Sequence, residues 1–196
     1  MTYMQIDFAL LKSKEVLPTK RYEHVERVTH TALDLAKNFQ ANEHGVGLAA
    51  ALHDYAKHMD RGLLKHWIES SVDLPKDLLN YHHELWHGPV GAKMVEKWFR
   101  LEQPDILNAI RWHTTGRANM GLVEKIVFLA DYIEPNRQFE AVYEARELAQ
   151  TDLNRACHYA LKQSILFLME KRQPIYPDTF HAYNELTNVL KNNGGN

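Results

Sequence analysis

The sequence predicts an all-α fold, a helical bundle forming one domain over residues 1–196. Three observations predict it. No stretch alternates apolar and polar residues between hairpin turns, and no strand–helix rhythm recurs. Apolar residues return instead at intervals of three and four through one segment after another. No repeat, low-complexity tract or Ser/Gly-rich linker divides the chain.

Taken in order, Thr19 to Phe39 carries Val25, Val28, Ala32, Leu35, Ala36 and Phe39 at helical spacing. Glu43 to Lys57 carries Val46, Leu48, Ala49, Ala51 and Leu52, and is apolar over much of its surface, as a central helix would be. Pro89 suits the first turn of a helix running to about Leu101. Pro104 opens another over Asp105 to Trp112, which Thr114, Thr115 and Gly116 end. Leu122 to Ile133 is apolar and is stopped by Pro135. Asp152 to Lys171 is periodic through Leu153, Ala156, Ala160, Leu161, Ile165 and Leu168. A last helix follows Pro177, capped by Asp178 or Thr179, and Gly194, Gly195 and Asn196 are expected to fray.

Composition removes several function classes. An apolar fraction of 45% and a charged fraction of 24% suit a soluble globular protein. A net charge of -2 gives no basic surface for nucleic acid. No run approaches the roughly 18 to 20 apolar residues of a membrane span. Met1 to Lys12 lacks a basic n-region and a long apolar stretch, so export is not expected. Cys157 is the only cysteine, which leaves no internal disulfide or cysteine-based zinc site and fits the cytoplasm. The 12 histidines are the outlying feature.

Two of the chemistry-bearing residues, His53 and Asp54, are neighbours inside "AAALHDYAK". Adjacent side chains on a helix point about 100° apart, so these two can flank one point off the axis and ligate a single ion. Lys57 lies four and three residues further on, over the same face. Further ligand-type residues fall one per helix or helix end: His24, His87, His113 and Asp131. Asp131 stands in the apolar run "VFLADYI", where burial without a partner is costly. A plainer reading stands beside this one, with His53 bonded to a carbonyl and Asp54 paired with Lys57. His30, His44, His58, His66, His158 and His181 are read as ordinary surface or hydrogen-bonded histidines. The ordered set of His, His-Asp, His, His and Asp favours the metal.

That order resembles the HD-domain superfamily of metal-dependent phosphohydrolases. The stretches "HDYAK", "HGPVGA", "RWHTTG", "LADYIEPNR" and "IYPDTFHAYN" are together similar to the bacterial YqeK family of symmetrical diadenosine tetraphosphate hydrolases. The similarity runs from about Tyr22 to Leu186. The His-Asp pair lacks the following Glu-Asp of alarmone hydrolases, and "HHELWHGPVG" lacks the Gly-Tyr-Pro of cyclic dinucleotide phosphodiesterases.

The resemblance implies a metal-dependent hydrolase that cuts diadenosine tetraphosphate into two ADP. It also leaves a hydrolase of another nucleotide, or a non-catalytic nucleotide-binding protein with the same fold. Imidazole and carboxylate ligands suit a divalent transition metal, and the resemblance points to iron, one ion or two, with manganese or cobalt as substitutes. His24, His53, Asp54 and Asp131 are assigned as core ligands, and His87 and His113 as ligands of a second ion that Asp54 would bridge. Asp54, Lys57 and His83 are the expected catalytic groups. Lys57 would hold a phosphate, unless it is a solvated surface lysine, and His83 would touch phosphate or leaving group. Arg137 would fork onto a phosphate oxygen, or else pair with Glu134 or Glu140. Thr114, Thr115 and Gly116 would contact substrate or merely cap their helix. Tyr176 and Phe180, in the loop Ile175 to Phe180, would line a nucleoside pocket or simply pack. The core would span about residues 20–135, with helices over 140–191 completing the bundle and the pocket. The helical surfaces also allow a homodimer.

Overall fold

A computed structural model describes residues 4–193; the three glycine and asparagine residues expected to fray lie outside them. Among the described residues ten α-helices follow one another: α1 Ile6–Val16, α2 Thr19–Asn38, α3 Glu43–Leu52, α4 Arg61–Ser70, α5 His87–Phe99, α6 Pro104–Trp112, α7 Leu122–Ile133, α8 Ala141–Leu148, α9 Leu153–Glu170 and α10 Pro177–Asn193. Two short 3-10 helices, Lys76–Asn80 and His83–Leu85, lie between α4 and α5. No strand occurs among the described residues.

α3 is the axis of the bundle. Every residue from Gly45 to Leu52 is buried, and α1, α2, α6 and α7 pack around it. Its sequence has small residues at most positions, so four neighbours can approach closely on all sides. Asn42 starts it by accepting a hydrogen bond from Gly45 N at 3.1 Å. Asp60 and Asp152 cap α4 and α9 in the same way, through Leu63 N and Arg155 N. The side chain of Glu124 reaches back to Gly121 N at 3.1 Å at the start of α7. α9 packs against α7, α8 and α10, and α8 also touches α7 directly.

The expected helix over 43–57 stops at Leu52. Residues 53–58 form turns bonded three residues apart, with Lys57 N on Asp54 O at 2.8 Å and Tyr55 N on Leu52 O at 3.0 Å. The apolar periodicity runs on through Tyr55 and Ala56 because the turns are also buried, and so it conceals the end of the helix. Three helices escape a reading by periodicity. α1 buries only Ala9 and Ser13 while Phe8 and Leu11 are exposed, so no clean stripe marks it. α4 buries Leu64 and Ile68, and α8 buries Val142 and Ala145, two residues each in short segments. No helix among the described residues is long and apolar enough to cross a membrane.

Candidate metal centre

Five helices deliver ligand-type side chains to one point. His24 stands in the second turn of α2, His53 and Asp54 directly follow α3, and His87 is the first residue of α5. His113 directly follows α6, and Asp131 is in the last turn of α7. His24, His53, Asp54, His87 and His113 are all buried, while Asp131 is partly exposed.

Asp54 is at the middle. Its Oδ2 lies 3.2 Å from His53 Nε2 and 3.7 Å from His24 Nε2. Its Oδ1 lies 3.1 Å from His87 Nε2 and 3.8 Å from His113 Nε2. One oxygen therefore faces one pair of imidazoles and the other oxygen faces the other. Asp131 Oδ1 adds to the first side at 3.0 Å from His24 Nε2, and His87 and His113 approach each other on the second, Nε2 to Nε2, at 3.0 Å.

The imidazoles are aimed by what holds their other nitrogen. Nδ1 of His53 donates to Ala50 O at 2.7 Å, Nδ1 of His87 to Glu84 O at 2.6 Å, and Nδ1 of His113 to Ile110 O at 2.8 Å. Each acceptor is three residues back, at a helix end, where carbonyls lack intrahelical partners or are poorly shared. With Nδ1 protonated and engaged, Nε2 keeps its lone pair for the centre.

The donor set fits a cation. The Nε2 atoms of His24 and His53 and both oxygens of Asp54 are buried with no well-directed hydrogen bond, although Arg21 ion-pairs with Asp54. Two groups can each hold an ion: His24, His53 and Asp131, and His53, Asp54 and His113, the ligand atoms of each lying within 4.8 Å of one another. The charge states agree. Burial alone would raise the Asp54 carboxyl, but the charge and contact of His53 and the contact of His87 outweigh it and hold it well below the usual carboxylate range. Burial likewise opposes ionisation of Asp131, and His24, His53 and Arg137 overcome it and hold it well below that range. Burial pushes His87 down and His113 well down, so both are neutral, as ligation requires. Burial also disfavours charge on His53, but the carboxylates of Asp54 and Asp131 raise it above its ordinary value.

The other expected site residues are placed less uniformly. Lys57 Nζ ion-pairs with Glu84 Oε2 at 2.5 Å, across the mouth of the site, rather than lying free on a helix face. Arg137 is committed to Asp131, with Nη2 on Oδ1 at 2.9 Å and Nε on the main-chain oxygen at 3.1 Å. His83 opens the short 3-10 helix before α5, beside Glu84 at 3.5 Å. Thr114, Thr115 and Tyr176 line a cleft beside His113, together with Arg111, Trp112 and Asp178. Gly116 ends α6: its N–H bonds Trp112 O at 2.8 Å and its φ of +63° is the left-handed conformation that favours glycine. Phe180 is exposed on α10 and is not part of that cleft lining.

Four charged residues at the site escape sequence reasoning: Arg21, Arg27, Glu84 and Glu134. Arg21 and Arg27 lie three residues either side of His24 on α2, and Glu134 lies three after Asp131. Spacing of three residues from a candidate ligand is the signal that finds them, Glu84 lying three before His87.

Comparison with known proteins agrees with this geometry. The family model for the HD domain matches residues 21–136. A symmetrical bis(5'-nucleosyl)-tetraphosphatase of Bacillus subtilis is 45% identical over 93% of this chain and 98% of its own length. One of Halalkalibacterium halodurans is 49% identical over 91% of this chain and 95% of its own. The crystal structure of a predicted HD superfamily hydrolase involved in NAD metabolism from Clostridium acetobutylicum superimposes with a TM-score of 0.87 at 33% identity, over 96% of this chain and all of that one. The chain belongs to the HD-domain family and, within it, groups with the symmetrical bis(5'-nucleosyl)-tetraphosphatases.

Proposed function

We propose that the protein hydrolyses diadenosine tetraphosphate at its central anhydride, giving two ADP, with a divalent transition metal held by the buried cluster. The observation that carries this is Asp54, a buried carboxylate with no well-directed hydrogen bond and imidazoles on both sides. The relatives named for this activity cover nearly the whole chain and support the choice of substrate. His24, His53, Asp54 and Asp131 would hold one ion, His87 and His113 a second, and Asp54 would bridge them. Iron is the proposed metal, with manganese or cobalt able to substitute, because imidazole with carboxylate favours such ions over magnesium. When bound, such an ion makes water a nucleophile at neutral pH and neutralises charge on a phosphoryl oxygen.

The protein's own groups do the rest. Lys57 exchanges its Glu84 partner for a phosphate of the substrate, a point charge answering a point charge. Arg137 keeps Asp131 ionised and correctly turned, and presents its exposed edge to the polyphosphate. His83 stands beside Lys57's partner at the mouth, where the leaving diphosphate departs. Trp112, Thr114, Thr115 and Tyr176 line a cleft of about 60 Å³, too small to enclose a nucleoside, so one adenosine would rest against its rim. Water oxygen bonds to the second or third phosphorus, the bond to the central bridging oxygen breaks, and that oxygen leaves as part of the other ADP.

The test is hydrolysis in 18O-labelled water by metal-loaded protein, with products resolved by mass. Two ADP, one carrying the label, is expected. AMP with ATP refutes the position of cleavage, and absence of hydrolysis with iron, manganese and cobalt each supplied refutes the enzyme reading.

A further inference from the structure

His24 differs from the other three imidazoles of the cluster. It lies in the second turn of α2, where the main-chain carbonyls already serve the helix, so no free carbonyl is at hand for its Nδ1. Nδ1 meets a carboxylate instead, Glu134 Oε1 at 3.2 Å, contributed from the end of α7. Glu134 is 3% exposed. Its Oε2 accepts from Arg27 Nε at 2.7 Å and from Asn136 N at 2.9 Å, and its main-chain oxygen accepts from Arg146 Nη2 at 2.7 Å. Arg27 comes from α2, one turn after His24 on the same face, so α2 and α7 are tied twice at this point.

We propose that Glu134, anchored by Arg27, is a positioning residue that holds His24 in the Nδ1–H tautomer and points its Nε2 lone pair into the ion position flanked by Asp131 and Asp54. A fixed ring presents the lone pair without the loss of orientational freedom on binding, and a carboxylate on the distal N–H makes the imidazole a stronger donor. The inference rests on the metal reading above. It assigns a separate task to each of two acidic residues three apart on α7: Asp131 faces the ion and Glu134 faces the ligand that holds it.

Zinc(II) is the probe, since it is diamagnetic and takes imidazole and carboxylate ligands. Chelator-stripped wild type, Glu134→Ala, Glu134→Gln and Arg27→Gln are titrated with zinc against a chromophoric competitor. The imidazole N–H signals of the zinc-loaded proteins are then compared by NMR. Glu134→Ala is expected to weaken zinc binding by about 10- to 100-fold and to lose the slowly exchanging Nδ1–H of His24. Glu134→Gln keeps an acceptor without its charge and is expected to show a smaller loss with the N–H signal retained, which carries the test if the alanine variant folds poorly. Arg27→Gln is expected to weaken zinc binding less than Glu134→Ala. Glu124→Gln removes another buried carboxylate paired with arginine, Arg117 at 2.7 Å, and is expected to bind zinc as wild type does. Equal zinc affinity with and without the Glu134 carboxylate overturns the inference, as does a zinc-loaded wild type whose His24 carries its proton on Nε2. A wild type that takes up no zinc overturns the metal reading itself, and the inference with it.

Discussion

Two glycines three residues apart on α5 should respond to the same substitution with opposite signs. A Cβ added at Gly88 would stand 2.8 Å from Arg111 O, 3.3 Å from Ile110 O and 3.5 Å from His113 Cε1. An ordinary carbon–oxygen contact is about 3.3 Å or more, so α5 must retreat from α6 by roughly 0.5 Å. The obstacle is main chain, which cannot swing aside. Ile110 O is also the acceptor that orients His113, and His87 is the residue before Gly88. The retreat therefore opens the 3.0 Å approach of His87 to His113. Overpacking of this kind costs about 1–3 kcal/mol, and at about 2–4 °C per kcal/mol the midpoint of Gly88→Ala should fall by roughly 2–12 °C. At Gly91 the added Cβ meets Ala56 Cβ at 3.4 Å and Ala56 N at 3.7 Å, ordinary contact distances. Gly91→Ala should then gain helix propensity, about 0.5–1 kcal/mol, and melt higher by roughly 1–4 °C. Thermal unfolding of the two metal-free variants by circular dichroism reads both shifts. Metal retained after chelator challenge should fall in Gly88→Ala alone. A Gly88→Ala protein that melts at or above wild type would refute the reasoning.

Asp54→Ala should lower bound transition metal at least tenfold by elemental analysis, since it removes the carboxylate common to both sides of the cluster; full retention of metal would contradict that placement. Lys57→Ala should keep its metal and lose about 10- to 100-fold in kcat/KM, the worth of a charged hydrogen bond to phosphate, and a variant that loses metal would speak against the role. Burial pushes the Cys157 thiol up to about 12, so a disulfide reagent at pH 8 should label the protein only after denaturation; prompt labelling of the native protein would contradict its packing. In the metal-free protein, burial holds His87 below and His113 well below the ordinary histidine value, so the unfolded chain binds protons that the folded chain refuses as pH falls below about 6.5. His53, raised by Asp54, works in the opposite sense, while Asp54, Asp131 and Glu134, held low, lose their stabilisation further down in the carboxylate range. The midpoint should therefore fall between pH 7 and pH 4, and a flat profile would count against these assignments.

The all-helical class was legible because long segments such as α2, α7 and α9 repeat their apolar residues at helical spacing, and the chemistry was legible because ligand types fell one to a segment. What sequence could not display was the state of each helix end. The run from Glu43 to Lys57 reads as one helix because burial continues past Leu52, yet the main chain turns at His53, and that turn puts Lys57 against Glu84 rather than on a face with His53. Arg137 was read for phosphate or for pairing with Glu134 or Glu140; it does approach Glu134, Nε to Oε1 at 4.0 Å, but its nearer partner is Asp131, six residues back, across the end of α7. Tyr176 was read for a nucleoside pocket or for packing; it packs, meeting Tyr81 edge-on at 5.0 Å between ring centres, and it also lines the cleft. Phe180 shares its stretch of sequence but is exposed, because α10 has begun at Pro177 and Phe180 lies two residues past the cleft-lining Asp178, on the opposite side of the helix.

The placement of the cluster at helix ends follows from hydrogen bonding. An imidazole that is to offer Nε2 inward needs an acceptor for Nδ1 that is fixed and close. The last turn of a helix supplies one, since its carbonyls have no N–H ahead of them. His53 and His113 take that solution after α3 and α6, and His87 takes it from the 3-10 turn that precedes α5. Because α3 is surrounded on all sides, its end delivers His53 and Asp54 into the core rather than to the surface. The consequence is a wholly buried carboxylate whose oxygens face imidazoles with Arg21 ion-paired beside them, and a metal cation between carboxylate and imidazoles would offset more of the several kcal/mol that burying the charge costs. Stability and metal are thereby linked: an ion bound only by the folded state stabilises it by RT ln(1 + [L]/Kd), about 4 kcal/mol at a thousandfold excess over Kd. The same arrangement that makes Asp54 the centre of the proposed chemistry makes the metal-free fold the less stable one.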